Sequence, residues 1–106
     1  MAEIEIIAIM KPKPGKAGRV QELLADMSKH VQANEPGTLK YHLQVETKGD
    51  APSIFVLERY KDKASLGAHG SSPEFKAFQK TLAKEGLLAE FKVYYTKGFG
   101  GFASRL

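Results

Sequence analysis

The sequence reads Ile-Glu-Ile-Ile-Ala-Ile-Met over residues 4–10. Only the glutamate is polar in this segment, and most of the residues are β-branched, which favours an extended strand. A strand with one face in water alternates apolar and polar residues, whereas this one is apolar on both faces. We therefore expect a central strand that is covered on both sides.

A helix and a hairpin are predicted after this strand. Beyond the proline- and glycine-rich residues 12–15, apolar residues recur every three to four positions and predict an amphipathic helix over residues 16–33. Residues 35–37, Glu-Pro-Gly, end that helix. Residues 39–46 then alternate strictly, and residues 53–60 form another strand beyond a polar turn, so the two strands should make an antiparallel hairpin.

The remaining chain predicts two helical segments and a fourth strand. Asp62 is suited to cap a short helical turn through Leu66, and residues 72–74, Ser-Pro-Glu, have the composition of a helix start. Gly86 is expected to end this second main helix in a left-handed conformation. Residues 87–97 alternate again and predict the last strand.

The order of these elements is βαββαβ, which indicates a ferredoxin-like α+β fold with both helices on one face of a four-stranded antiparallel sheet. We expect a single domain, because 106 residues supply one hydrophobic core. Nothing is left to cover the other sheet face, so we expect a homodimer that packs sheet against sheet and encloses a pocket. The glycine-rich tail, residues 98–106, is expected to bury Phe99 and Phe102 on the partner.

Composition argues against several classes of function. The net charge of +4 comes from scattered lysines, which indicates a solvated surface and no nucleic-acid partner. Residues 97–102 look like an RNA-recognition signature, but they follow the fourth strand and that signature belongs on the third. Without cysteines, metal-ligand spacing or a dinucleotide fingerprint, we expect no cofactor and no metal. Without a basic leader or a membrane-length apolar run, we expect a cytoplasmic protein with no membrane partner.

Several short motifs occur in a fixed order along the chain. They are Pro14-Gly15-Lys16, Glu35-Pro36-Gly37 with Tyr41 beyond it, Phe55-Val56-Leu57-Glu58-Arg59-Tyr60 leading to Asp62, Ala68-His69, and Ser72-Pro73-Glu74-Phe75. In this order they resemble the antibiotic biosynthesis monooxygenase family, whose members are dimeric α/β barrels. The resemblance implies the same barrel for this chain.

The activity that the resemblance implies is a cofactor-independent monooxygenation of a small quinol, phenol or anthrone with O₂. Related barrels degrade haem, isomerise small sugars or have no known reaction, and a shared fold does not fix the chemistry. The alternatives are therefore an isomerase of a small carbonyl compound and a non-catalytic binding dimer. Haem degradation ranks lower, because that branch is associated with an asparagine in the first strand and a tryptophan, and residues 4–10 lack the first and the chain lacks the second.

Two residues are candidate catalytic groups. The resemblance places His69 at a pocket mouth, where a neutral imidazole can take a proton from a phenolic or enediol substrate; the alternative is a surface histidine that closes a helix end. Glu58 lies near the end of an apolar strand, where an unpaired carboxylate is costly. It is expected to orient His69 or Tyr60, and the alternative is an ion pair at the barrel rim.

Six further side chains are candidates for substrate contact. Aromatic rings can stack on a flat substrate, although rings at this spacing are more often core residues. His42 lies on the polar face of the second strand and borders the pocket if that face lines it; an exposed edge is the alternative. The aromatic candidates are Tyr41, Tyr60, Tyr94, Phe75 and Phe78.

Overall fold

The fold is given by a computed structural model that describes residues 3–105. Met1, Ala2 and Leu106, the last residue of the predicted tail, lie outside the described residues. No helix within residues 3–105 is long and apolar enough to cross a membrane. The elements are β1 (Ile4–Pro12), α1 (Ala17–Asn34), β2 (Thr38–Val45), β3 (Ile54–Tyr60), α2 (Lys63–Ser71), α3 (Pro73–Lys84) and β4 (Leu88–Thr96).

The strands form one antiparallel sheet in the order β2-β3-β1-β4. β1 is therefore a central strand, as its apolar character predicted, with Ile7 between Leu57 of β3 and Tyr94 of β4. The ferredoxin-like α+β architecture expected from the sequence is confirmed. At most ends of the strands and helices, the predicted boundary lies within one residue of the observed one.

The hydrophobic core lies between the helices and one face of the sheet, which we call the helix face. Ala8 and Met10 of β1 and Val56 of β3 supply the sheet side of the core, and Leu24 of α1 and Phe78 of α3 supply the helix side. Fully burying a side chain of the size of Val56, Leu24 or Phe78 stabilises the fold by roughly 1.5–3 kcal/mol. Successive side chains of a strand point to opposite faces of the sheet, so only every second residue of each strand faces the helices.

The opposite side of the sheet, which we call the open face, is also apolar at its centre. Ile7 and Ile9 of β1 lie there, directly beside Leu57 and Phe55 of β3. Each of these four side chains is only partly buried, because the helices of residues 3–105 pack on the helix face. The sheet therefore presents an apolar surface that a single chain does not cover.

Helix α2 is longer than the sequence predicted. The expected turn ended at Leu66, but the observed helix runs to Ser71. Asp62 caps it as predicted, accepting a hydrogen bond from the Ser65 backbone N–H at 2.8 Å. The helix contains two glycines and lacks a regular apolar repeat, so the periodicity of the sequence does not predict its full length.

One serine joins the two helices that follow β3. The Ser72 hydroxyl accepts from the Phe75 backbone N–H at 3.1 Å, which begins α3 as predicted, and donates to the His69 carbonyl at 3.0 Å. The end of α2 and the start of α3 are thereby fixed to each other. At the far end of α3, Gly86 adopts the predicted left-handed conformation, with φ of 59°.

Candidate functional site

His69 lies in the last turn of α2 and is buried, with 4% of its surface exposed. Three aromatic rings surround it: the ring centroids of Phe75, Tyr41 and Tyr60 lie 4.8, 5.5 and 5.6 Å from its own. The alternative of a surface histidine at a helix end is therefore wrong. The imidazole is in a largely apolar setting, where a charge on it would be felt strongly by its neighbours.

Glu35 fixes the imidazole of His69. Its Oε1 lies 2.8 Å from His69 Nδ1 and also accepts a hydrogen bond from the Thr38 hydroxyl at 3.1 Å. Because a carboxylate accepts and does not donate, Nδ1 carries the proton. The lone pair on His69 Nε2 is then the one available to a substrate proton, and no side chain within residues 3–105 hydrogen-bonds to that atom.

The turn after α1 brings Glu35 to this position. Its backbone N–H donates to the Val31 carbonyl at 2.9 Å, and the Lys61 backbone N–H donates to the Gly37 carbonyl at 2.8 Å. A Cβ on Gly37 would collide with the Ser65 side chain, so only glycine allows the turn to approach α2 this closely. In the sequence these residues predict only the end of a helix, and the contact of the Glu35 carboxylate with His69 becomes visible only in the structure.

Glu58 and Tyr60 form a second pair beside His69. The Tyr60 hydroxyl donates to Glu58 Oε1 at 2.5 Å. Burial raises the pKa of the Glu58 carboxyl, and the Tyr60 hydrogen bond and a charge on His69 only partly oppose that rise. Burial and then the Glu58 charge raise the pKa of Tyr60 and of Tyr41, so both phenols keep their protons at neutral pH. The expected contact of Glu58 with Tyr60 is confirmed, and an ion pair at the rim is not what the carboxyl makes.

The pairing register places these side chains on the helix face. Tyr41 of β2 pairs with Glu58, Glu58 pairs with Ile6 of β1, and Ile6 pairs with Tyr95 of β4. Partners in a ladder share a sheet face, so the four form one row across the sheet. His69 and Phe75 cover part of this row from above.

His42 and Tyr94 do not join this cluster. His42 pairs with Leu57 and Tyr94 pairs with Ile7, and both pairs are on the open face. Strand alternation therefore separates them from His69 by the thickness of the sheet. The candidate acid–base groups occupy the space between the helices and the sheet of one chain.

Phe75 and Phe78 lie at different depths. Phe75 is only partly buried and is the aromatic ring closest to His69. Phe78, one helical turn later, lies 6.2 Å from the Phe75 ring and is buried in the core among aliphatic side chains. Phe75 is thus the more exposed ring beside His69, whereas Phe78 supports Phe75 from within the core.

Three apolar side chains of β4 lie on the helix face and were not among the candidates predicted from the sequence. Phe91, Val93 and Tyr95 pair with Met10, Ala8 and Ile6, yet 40%, 50% and 71% of their surfaces are exposed. A cleft of about 400 Å³ separates α3 from β4 at the Phe91 end. The signal was present in the sequence, because the alternation of residues 89–96 puts Tyr95, not Tyr94, with the apolar residues.

The described residues show no arrangement typical of a metal centre. Within residues 3–105, no group of three or more histidine, aspartate or glutamate side chains is placed to hold a metal ion. The polar groups of the site are instead engaged in pairs, Glu35 with His69 and Glu58 with Tyr60. What the arrangement offers is proton transfer at His69 Nε2 beside a carboxyl that holds its proton more tightly than usual.

Solved structures share this fold over nearly the whole chain. A Caulobacter crescentus protein described as a candidate antibiotic biosynthesis monooxygenase is 29% identical, with coverage of 92% of this chain and 91% of that chain and a TM-score of 0.80. PA3566 of Pseudomonas aeruginosa is 22% identical, with coverage of 94% and 97% and a TM-score of 0.82. Rv0793 of Mycobacterium tuberculosis is 21% identical, with coverage of 96% and 100% and a TM-score of 0.81.

The sequence itself identifies the family. No curated protein sequence matches the chain significantly. The sequence profile of one family, described as antibiotic biosynthesis monooxygenase, matches residues 4–81, which run from the start of β1 into α3 and include every residue paired around His69. Membership supports a general monooxygenase-like role. The chain belongs to the antibiotic biosynthesis monooxygenase family.

Proposed function

We propose that the protein is a cofactor-independent monooxygenase of a small aromatic substrate of the quinol, phenol or anthrone type. The observation that carries the proposal is the state of His69: it is buried among aromatic rings, and Glu35 holds its Nδ1. Such a ring accepts a proton at Nε2, and its apolar surroundings suit a flat aromatic molecule.

The reaction begins when His69 Nε2 removes an acidic proton from the substrate. The resulting electron-rich anion reacts with O₂, so the substrate itself supplies the electrons. For an anthrone the balance is one CH₂ group and one O₂ giving one C=O group and one H₂O. Glu58, whose pKa is raised by burial, is the group suited to return a proton to the oxygen that leaves as water.

The substrate is proposed to lie on the helix face of β4. Phe91, Val93 and Tyr95 form an exposed apolar strip there, and Tyr95 stands in the same row as Glu58. A planar ring on this strip buries apolar surface on both partners. Its hydroxyl groups then face the acid–base groups at the centre of the sheet.

A second copy of the chain is proposed to cover the open face. Ile7, Ile9, Phe55 and Leu57 form an apolar centre there that no helix of residues 3–105 covers. Packing two such faces would bury them as in a sheet-on-sheet core. In the tail, Phe99 and Phe102 are among the most exposed apolar side chains of residues 3–105, and we propose that they pack on the partner.

The test is O₂ consumption by metal-free protein on a panel of dihydroxynaphthalenes, benzoquinols and anthrones. We expect uptake with one substrate class, ¹⁸O from ¹⁸O₂ in the product, and a loss of ~10²-fold or more in turnover for His69→Ala. His42→Ala is the matched control, because that histidine is exposed on the open face, and it should keep turnover within about twofold. Uptake that survives His69→Ala, or no uptake with any substrate, contradicts the proposal.

An isomerase of a small carbonyl compound is the second candidate, favoured by the placement of the Glu58–Tyr60 pair beside the His69 base. Moving a proton between neighbouring carbons needs one base and one acid, and this site has both. The two candidates differ in their need for O₂. Anaerobic incubation with small hydroxyketones in ²H₂O should give deuterium at the carbon beside the carbonyl if the isomerase assignment is correct, and no incorporation if the monooxygenase assignment is correct.

A further inference from the structure

A chain of polar contacts continues from His69 past Glu35 to the surface. Glu35 Oε2, the oxygen that does not contact His69, is buried without a hydrogen-bond partner. It lies 3.7 Å from Nε2 of His30, a residue of α1 that sequence analysis passed over. His30 Nε2 also lies 3.3 Å from Oε1 of Glu74 on α3, and 49% of that carboxylate side chain is exposed.

The orientation of His30 is set by its own neighbour on α1. The Asn34 side-chain amide nitrogen lies 3.2 Å from His30 Nδ1 and also donates to the His30 carbonyl at 3.1 Å. An amide nitrogen only donates, so Nδ1 of His30 accepts and the proton of the neutral ring is on Nε2. That N–H then lies between the carboxylates of Glu35 and Glu74.

We propose that Asn34, His30 and Glu35 are positioning residues that fix the tautomer of His69. Asn34 donates to His30, Nε2 of His30 faces Glu35 Oε2 at 3.7 Å, which is longer than a hydrogen bond, and Glu35 accepts from His69 Nδ1. The proposal rests on the assigned role of His69 as the base. Its effect is to keep the lone pair of His69 on Nε2 and to stop the Glu35 carboxylate from rotating away.

The charged and titratable groups around the chain are consistent with this role. His30 is faced by Glu35 and by Glu74 from α3, and Asp26 lines the same groove between α1 and α3. His69 is faced by Glu35 and by the Glu58–Tyr60 pair, with the Tyr41 ring beside it. Each histidine therefore has a carboxylate as its nearest charged partner, which is the usual arrangement for orienting an imidazole.

The readout is ¹⁵N NMR of the histidine rings in the full-length protein, because the ¹⁵N shifts distinguish an Nδ1–H from an Nε2–H tautomer without any substrate. We expect His69 in the Nδ1–H form in the wild type. Glu35→Gln should abolish that preference, because its amide can donate as well as accept, and should lower kcat ~10-fold or more with KM little changed. Glu22→Gln, which alters an exposed carboxylate of α1, is the matched control and should change neither.

Asn34→Asp tests the direction of the chain at an exposed position where refolding is not at risk. The carboxylate has almost the same shape but accepts, so it should move the His30 proton to Nδ1 and weaken the hold on Glu35. We expect a smaller fraction of His69 in the Nδ1–H form than in the wild type. A His69 that is Nε2–H in the wild type, or that keeps its tautomer in both variants, overturns the proposal. A tautomer that shifts as predicted in a protein without O₂ uptake would overturn only the proposed monooxygenase function.

Discussion

The helix face and the open face of the sheet carry similar side chains in different surroundings. On the helix face, Glu58 and Tyr60 are held beside the buried His69. On the open face, His42 and Tyr94 are exposed and flank an apolar centre. Residue type alone therefore does not identify a site in this fold. The position of a residue in the alternation of its strand determines which sheet face its side chain lies on. The side chains on that face then determine its surroundings and its chemistry.

The largest expected effect is on the open face, where Leu57→Asp should disrupt the proposed dimer. A charge at the centre of an apolar interface is left unpaired on both copies, which should weaken association by ~10²-fold or more. Val93→Asp adds the same charge on the helix face and should leave association unchanged. Light scattering across a dilution series measures both. A wild-type chain that is monomeric at micromolar concentration would contradict the assignment of the open face to dimerisation.

The next effect is on the helix face, where Tyr60→Phe removes the hydroxyl that donates to Glu58. A buried acceptor without its donor should lower the free energy of unfolding by roughly 1–3 kcal/mol. Tyr94→Phe removes a hydroxyl from the open face and should change stability by less than about 0.5 kcal/mol. Denaturant titration of the two variants gives the comparison. Equal stabilities would mean that the Glu58–Tyr60 bond contributes nothing net.

The smallest effect is a dependence of stability on pH with opposite sign at two carboxyls. Burial raises the pKa of Glu58 in the folded state above 4.5, its ordinary value, so stability falls as pH rises from there through the folded pKa. Hydrogen bonding to Arg19 lowers the pKa of the exposed Glu85 below its ordinary value of 4.5. The contribution of Glu85 to stability is therefore present above pH 4.5 and is lost as pH falls through the folded pKa. Thermal unfolding of the wild type, Glu58→Gln and Glu85→Gln is compared between about pH 3 and pH 7, a range that spans ordinary carboxyl titration. The comparison isolates the contribution of each carboxyl to the pH dependence of stability. A wild-type curve parallel to that of Glu58→Gln would contradict the burial of this carboxyl.

The sequence was enough to predict the fold because its signals are local. Apolar runs, strict alternation and the capping residues Asp62 and Ser72 each act within a few positions of the element they define. The motifs that resemble the family also made His69, Glu58 and Tyr60 candidates, and the structure brings these three side chains together. Helix α2 was predicted too short because Gly67 and Gly70 interrupt any periodic pattern.

The partners of the site residues were not predictable in the same way. Glu35 meets His69 across 34 positions of sequence, and His30 meets Glu74 from another helix. Such contacts depend on how elements pack, which local patterns do not contain. Tyr95 differs from these partners, because the alternation of residues 89–96 alone places it on the face with the core.

The measurement that most directly tests the central claim is the location of a bound aromatic ligand. Menadione, a stable quinone, can be titrated into methyl-labelled protein and its ring protons located by nuclear Overhauser effects. We predict contacts with the methyl groups of Val93 and Ile6, which lie on the helix face. Contacts with Ile7 and Leu57 instead would place the ligand on the open face and contradict the assignment of the site to His69 and its neighbours.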